Sequence, residues 1–181
     1  MEIEVRIFDI DVDEILKKLN ELGGVLVKKE NQINKLFDFR DKKLLNENGY
    51  ARIRIVEDLI LNKNLFYMTV KKRIEGHNYK VMDEKEVEIS DSSLGEGIFK
   101  SLGLEMNHII HKYRESYKLF DVLVEIDIND KNFYPNPYIE IEGDCSEKIE
   151  KVVNLLGYTM EDTTSRSIFD ILKDYNKKQV D

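Results

Sequence analysis

Charged residues in this chain recur at every second position, and their signs are sorted segment by segment. Glu2, Glu4 and Arg6 alternate with Ile3, Val5 and Ile7. Arg52 and Arg54 flank Ile53, Glu86 and Glu88 flank Val87, and Lys112 and Arg114 flank Tyr113. Glu125 and Asp127 flank Ile126, and Glu140 and Glu142 flank Ile141. Successive side chains on a strand point to opposite faces, so each of these runs reads as a strand with its charges on one side. Like charges two residues apart on one face repel unless solvent or a bound ion lies between them. The pattern therefore demands either a wetted face or something strongly charged to fill it.

The chain has 181 residues, enough for one domain with a sizeable core, and no Pro/Gly/Ser-rich linker divides it. Charged residues make up 35% and the apolar class 41%, the balance of a soluble globular protein. A net charge of −8 argues against general nucleic-acid binding but leaves room for a small anion held by local basic strands or metal ions. The single cysteine, Cys145, excludes an intramolecular disulfide and fits a reducing cytoplasm. No stretch approaches the ~20 apolar residues of a membrane span. No basic-then-apolar signal segment opens the chain, so its first residues read as part of the fold.

Residues 1–9 read as the first strand. Asp11 is placed to cap a helix with Glu14 three residues later; Ile15, Leu16, Leu19 and Leu22 give its apolar stripe, and Gly23-Gly24 ends it. Residues 25–39 read as extended, residues 41–49 as a polar loop, and residues 50–56, 65–73 and 80–89 as strands separated by turns. Ser92 to Leu102 reads as a helix with Leu94, Ile98, Phe99 and Leu102 inside, although Gly95 and Gly97 weaken it. Residues 105–119 and 121–128 read as a hairpin, 138–142 as the last strand, 146–156 as a helix, and 164–175 as a final helix before a fraying tail at 176–181. Short connections between about eight strands favour antiparallel pairing.

For any single strand, a half-exposed sheet explains the alternation. The whole set says more, because an ordinary wet face mixes its signs, whereas these strands carry acidic pairs or basic pairs. An antiparallel sheet closed into an eight-stranded barrel turns one face into a lumen wide enough for side chains and a small ligand. The expected fold is α+β: a closed eight-stranded antiparallel barrel with helices packed outside, as one domain over residues 1–181. Two carboxylates about 4 Å apart in such a lumen repel by about 4 kcal/mol at an effective dielectric near 20. Divalent cations remove that cost for the acids and phosphates remove it for the bases, so a polyphosphate bridged to acidic strands by Mg²⁺ satisfies both.

These motifs together resemble the CYTH superfamily, also called triphosphate tunnel metalloenzymes. Glu2-x-Glu4-x-Arg6 is similar to the opening E-x-E-x-K, with Arg in place of Lys. Arg52-Ile53-Arg54 resembles R-I-R, Thr69-Val70-Lys71 resembles T-x-K, and Glu86-x-Glu88 resembles E-x-E. Lys112-x-Arg114 resembles K-x-R, Asp127 the acidic residue of the next strand, and Glu140-Ile141-Glu142 the closing E-I-E. Arg166-Ser167 loosely resembles a C-terminal K-S-Y segment, with Ile168 where Tyr is expected. The likeness runs in family order over nearly the whole chain, nearest to the CyaB-like, class IV adenylyl cyclase-like branch.

The resemblance implies Mg²⁺ or Mn²⁺ held by Glu2, Glu4, Glu140 and Glu142. Asp127 either joins them or orients the attacking water. Glu86 and Glu88 either hold a second metal or pair with Arg and Lys to position them. It implies a small-molecule triphosphate cradled by Arg6, Arg52, Arg54, Lys71, Lys112, Arg114 and Arg166, with Glu2, Glu4, Arg6 and Asp127 as the catalytic set. Water attacking a terminal phosphorus makes a triphosphatase for inorganic triphosphate, a nucleoside triphosphate or thiamine triphosphate. A ribose 3′-hydroxyl attacking the α-phosphorus of ATP makes a cyclase. The His-Phe pair that precedes the first signature in characterised class IV cyclases is absent and no adenine site stands out, so hydrolysis is the expectation. A polyanion binder without turnover is the reading from another class. Tyr50 and Tyr117 stand out as aromatics near the basic strands. His77, His108 and His111 lack metal-ligand spacing, and Cys145 reads as a packing or capping residue. Open edges or apolar patches leave room for a homodimer.

Overall fold

The computed structural model describes residues 3–74 and 81–172. Its strands are β1 (Ile3–Phe8), β2 (Val25–Asp38), β3 (Tyr50–Asp58), β4 (Lys63–Ile74), β5 (Val81–Ile89), β6 (Glu105–Leu119), β7 (Val122–Asn129) and β8 (Tyr138–Gly143). The helices are α1 (Val12–Glu21), α2 (Lys43–Asn46), α3 (Ser92–Ser101) and α4 (Ser146–Leu155), followed by a 3₁₀ turn at Met160–Asp162. The strands form one antiparallel eight-stranded sheet in the order β1-β8-β7-β6-β2-β3-β4-β5. The α+β class and the strand count are as the sequence implies. β1 and β5 end the order, so hydrogen bonding among the described residues does not close the sheet into the expected barrel. Alternation assigns side chains to faces and carries no information about which edges meet.

The chain divides into two compact units: Val27–Glu115, and the described residues before and after it. In the first, β2 to β5 pair in sequence and bury Phe37, Ala51 and Ile53 against Leu44 of α2, Phe99 of α3 and Leu104. The Phe37 and Phe99 rings stand 5.3 Å apart. α3 meets the sheet through Phe99 and Gly95, whereas Leu94, Ile98 and Leu102 are exposed, contrary to the inward stripe expected. The physical reason is Gly95. A Cβ there would come within 2.6 Å of Ile89 Cδ1 and 2.8 Å of Ile53 Cδ1, so the bare glycine lets the helix settle on this face. The glycine that weakens the helix by propensity decides its orientation by packing. The expected loop at 41–49 holds the single turn of α2, because the buried Asp38 carboxylate accepts from the backbone N–H of Leu44 and Leu45 at 2.9 Å each.

In the second unit, β1, β8 and β7 bury Val5, Ile7, Ile139, Ile141, Val124 and Ile126 under α1 and α4. α1 contributes Ile15 and Leu19, and α4 contributes Ile149, Val152 and Val153. The Asp11 carboxylate accepts from Glu14 N–H at 3.1 Å, as its position foretells. Gly23 takes φ +78°, and Gly24 N–H closes the helix on the Leu19 carbonyl at 2.7 Å. The final helix does not begin at 164. Thr164 exchanges backbone hydrogen bonds with Arg6 as an isolated antiparallel bridge, at 2.8 and 2.9 Å. Helix then spans residues 168–172, capped where the Ser167 and Asp170 side chains bond each other's backbone N–H. The remainder of that expected helix and the tail lie outside the described residues.

Candidate functional site

Register places the predicted residues of the first unit in rows on one face of β3, β4 and β5. Arg52 stands opposite Thr69, which stands opposite Glu86. Arg54 is opposite Tyr67 and then Glu88; Tyr50 is opposite Lys71 and then Glu84. Glu86 is the hub. Its Oε1 accepts from Arg54 Nη2 at 2.7 Å, and its Oε2 accepts from Arg52 Nη2 at 3.2 Å and from Thr69 Oγ at 2.6 Å. Lys71 Nζ lies 2.9 Å from Glu84. The guanidinium of Arg52 sits over the Tyr50 ring at 5.6 Å, and that of Arg54 over Tyr67 at 5.1 Å. The Nε atoms of Arg52 and Arg54 are both buried without a hydrogen-bond partner among the described residues.

Burial pushes the Arg54 pKa down, and Arg52 and Arg114 add to the depression, against the opposing pull of Glu86. Burial alone would push the Glu86 carboxyl up. The Thr69 hydroxyl and the two guanidinium groups outweigh it and hold the carboxyl below its ordinary range. This face mixes its signs: Arg52, Arg54 and Lys71 stand among Glu84, Glu86 and Glu88, and Glu86 is shared between two arginines. Lys112 and Arg114 are half-buried on β6. Glu88 is exposed beside Tyr67.

The charged residues of the second unit are acidic in excess. Across β1, β8 and β7 its rows are Glu4–Glu142–Leu123, Arg6–Glu140–Glu125 and Phe8–Tyr138–Asp127. Arg6 Nε lies 2.7 Å from Glu140 Oε1, its Nη2 pairs with Glu4, and its Nη1 donates to the Arg166 carbonyl at 2.9 Å. Burial works against the Arg6 charge, but Glu140 and Glu4 outweigh it and hold its pKa above the usual guanidinium value. Glu125 and Asp127 are buried, and Glu125 accepts from the buried Ser116 hydroxyl at 2.8 Å. Arg166 is exposed, and its guanidinium donates to the Asp170 carbonyl at 3.0 Å. Glu2 lies outside the described residues.

The acids fit a hard dication in kind: all are carboxylates, the oxygen donors that Mg²⁺ and Mn²⁺ prefer. Glu4 and Glu142 are direct cross-strand partners, as are Glu140 and Glu125. No group of three or more acidic, His or Cys side chains among the described residues is assembled to hold a metal. Mg²⁺ characteristically takes one or two carboxylates and completes its shell with water and phosphate oxygens, so a pair is enough.

Several polar residues on these strands are invisible to a reading based on charge. Gln32 and Asn34 are buried on β2: Asn34 donates to Gln32 at 3.3 Å, Gln32 donates to Glu30 at 2.6 Å, and Asn34 is the register partner of Arg54. The alternation Glu30-x-Gln32-x-Asn34 was a legible signal for this face. Thr69 and Ser116 are uncharged, so sorting by charge passes over them. Asn129 is buried, and neither of its amide atoms has a hydrogen-bond partner among the described residues. Of the two tyrosines singled out, Tyr50 lies beneath Arg52, whereas Tyr117 packs against the apolar core of the second unit. His108 and His111 are exposed, and His77 lies outside the described residues.

An α+β chain with an antiparallel sheet that carries a row of arginines paired to glutamates in one unit and a row rich in carboxylates in the other is the class these observations define. The CYTH domain matches residues 1–168, and the chain belongs to that family, which points to an enzyme acting on triphosphates. A Methanocaldococcus jannaschii protein named "Putative adenylate cyclase MJ0240" is 31% identical over 127 residues, 70% of this chain and 69% of that protein. The structure of PH1012 from Pyrococcus horikoshii superposes with a TM-score of 0.76 at 26% identity, covering 94% of this chain and 98% of its own. Hippeastrum HpAC1, described as a "putative adenylyl cyclase" with a dominant triphosphatase activity, shares the fold at a TM-score of 0.70 and 18% identity, covering 96% of each chain. No helix of the described residues is long and apolar enough to cross a membrane.

Proposed function

We propose that this protein is a Mg²⁺- or Mn²⁺-dependent phosphohydrolase acting on a triphosphate. The observation that carries the reading is the pair of arginines, Arg52 and Arg54, whose Nε atoms are both buried and unpartnered among the described residues. Buried donors without acceptors are costly, and phosphate oxygens are the acceptors that guanidinium forks match best. Arg52, Arg54, Lys71, Lys112 and Arg114 take the phosphate oxygens in this reading. The metal would be held by a pair drawn from Glu2, Glu4, Glu140, Glu142 and Asp127, and when bound it would neutralise phosphate charge and help activate water. Arg6 holds Glu4 and Glu140 at fixed positions in the row. Water attacks the terminal phosphorus, the bridging P–O bond breaks, and the basic residues stabilise the charge left on the diphosphate.

The name of the Methanocaldococcus relative favours a second reading, cyclisation of ATP to cyclic AMP and pyrophosphate on the same residues. The deciding experiment measures phosphate release by the full chain from tripolyphosphate, ATP and thiamine triphosphate, with and without Mg²⁺ or Mn²⁺, alongside cyclic AMP formation. Metal-dependent phosphate release is the expected result. Cyclic AMP as the main product from ATP replaces hydrolysis with cyclisation, and binding with neither product leaves a non-catalytic binder.

A further inference from the structure

The Thr69–Glu86 pair belongs to neither the metal nor the phosphate set as the residues stand, yet it joins both arginines. Thr69 is completely buried between Arg52 and Glu86 in the register, so water does not compete for its hydroxyl proton. That proton goes to Glu86 Oε2 at 2.6 Å. Glu86 gives both oxygens to the Nη2 groups of Arg52 and Arg54. A dication at Glu86 would have to displace two guanidinium groups and a hydroxyl, each already within bonding distance. The carboxylate engages one donor nitrogen from each arginine and leaves both Nε–H groups over. An arginine on its own has a long, freely rotating stem; a carboxylate shared by two of them fixes both planes at once, and the Tyr50 and Tyr67 rings support the same planes.

We propose that Glu86, held by Thr69, is a positioning residue acting through Arg52 and Arg54. It sets two guanidinium forks at a fixed separation for successive phosphates, and it is not a metal ligand. The phosphate half of this statement rests on the triphosphate reading above; the positioning half does not. The gain is preorganisation: the donors are ordered before the anion arrives, so binding does not bear that cost.

The test uses the full chain and the variants Thr69→Val, Thr69→Ser and Glu86→Gln, each first checked for cooperative melting. In protein alone, the ¹⁵N signals of the Arg52 and Arg54 Nε–H groups should be sharp and slowly exchanging in the wild type and Thr69→Ser. In Thr69→Val and Glu86→Gln they should broaden or vanish. In EDTA, calorimetry with tripolyphosphate should show binding weakened about 10-fold in Thr69→Val, the loss of one hydrogen bond to a charged group, and restored by Thr69→Ser. The Mg²⁺ concentration giving half-maximal turnover should move less than about 2-fold in Glu86→Gln, since an uncoordinated residue leaves metal affinity intact. Unchanged arginine signals in both Thr69→Val and Glu86→Gln overturn the positioning role. A rise of about 10-fold or more in the Mg²⁺ requirement of Glu86→Gln, with metal-free anion affinity intact, makes Glu86 a ligand instead. Wild-type protein that gives no heat with tripolyphosphate refutes the substrate reading, while the arginine signals still decide the positioning role.

Discussion

The β3–β4–β5 face and the β1–β8–β7 face are built from the same parts, and they reach opposite electrostatic states. On the first, Arg52 and Arg54 share Glu86, with Arg114 close enough to add to the positive field, and the Arg54 pKa falls. On the second, one arginine, Arg6, is held by Glu140 and Glu4 with Glu125 next in the row, and its pKa rises. Burial penalises each guanidinium in the same direction and is the largest cause of the Arg54 depression, whereas at Arg6 the Glu140 and Glu4 carboxylates outweigh it. The charged neighbours make the difference: around Arg54, Arg52 and Arg114 oppose Glu86 and Glu30, whereas the neighbours acting on Arg6 all favour its charge. The first keeps two buried guanidinium Nε–H groups without an acceptor among the described residues, and the second keeps more carboxylates than cations.

Four experiments break or sharpen that contrast. The largest effect is expected on the acidic side: Glu4→Gln should lower metal-dependent phosphate release by about 100-fold or more, the scale of losing a charge-stabilising group in a transition state. Wild-type turnover in that variant removes Glu4 from the site. On the basic side, Arg54→Ala should raise KM for tripolyphosphate about 10-fold or more, because it removes a charge-assisted hydrogen bond to the anion, without altering which metals support turnover. An effect confined to metal preference reverses the assignment of the two faces.

The third experiment reads the sign of each face through its rescue. Glu86→Gln and Arg6→Met should each cost about 1–3 kcal/mol in urea unfolding at neutral pH, because each leaves charges of one sign facing one another. Inorganic phosphate should restore Glu86→Gln and not Arg6→Met; Mg²⁺ should restore Arg6→Met and not Glu86→Gln. The folded Glu86 carboxyl lies below its ordinary value of 4.5, so its contribution is fully present above that pH and is lost as pH falls through the depressed value. The gap between wild type and Glu86→Gln should accordingly close on acidification. Rescue of both variants by the same ion would show that the faces do not differ in sign. The smallest effects belong to the helix caps: Asp11→Ala on α1 and Asp91→Ala on α3 should each cost about 1 kcal/mol, because each carboxylate caps the start of its helix, Asp11 through one backbone N–H and Asp91 through two. A markedly unequal pair of thermal shifts would show that the two units differ in more than their charged faces.

The acidic and basic strands were legible because a period of two needs only the chain itself, and the eight strands, the Asp11 cap and the Gly23-Gly24 stop were legible for the same local reason. Glu4, Arg6, Arg52, Arg54, Lys71, Glu86, Glu140 and Glu142 were named from that period and family order, and the register gathers them into rows within their units. The bridging role of Thr69 was not legible, and the alternation of Gln32 and Asn34 with Glu30 marks their face but not their partners, because an uncharged side chain acquires its meaning from the neighbour across the strand.

What the amino-acid order alone determined is which side chains share a face, since alternation and capping are properties of a few consecutive residues. What only the tertiary structure decided is which charges meet, and in what ratio: Glu86 between two arginines, Arg6 between two glutamates, α3 resting on Gly95 rather than on its leucines. Those outcomes depend on strand register and close packing between segments distant in sequence, which no local periodicity specifies.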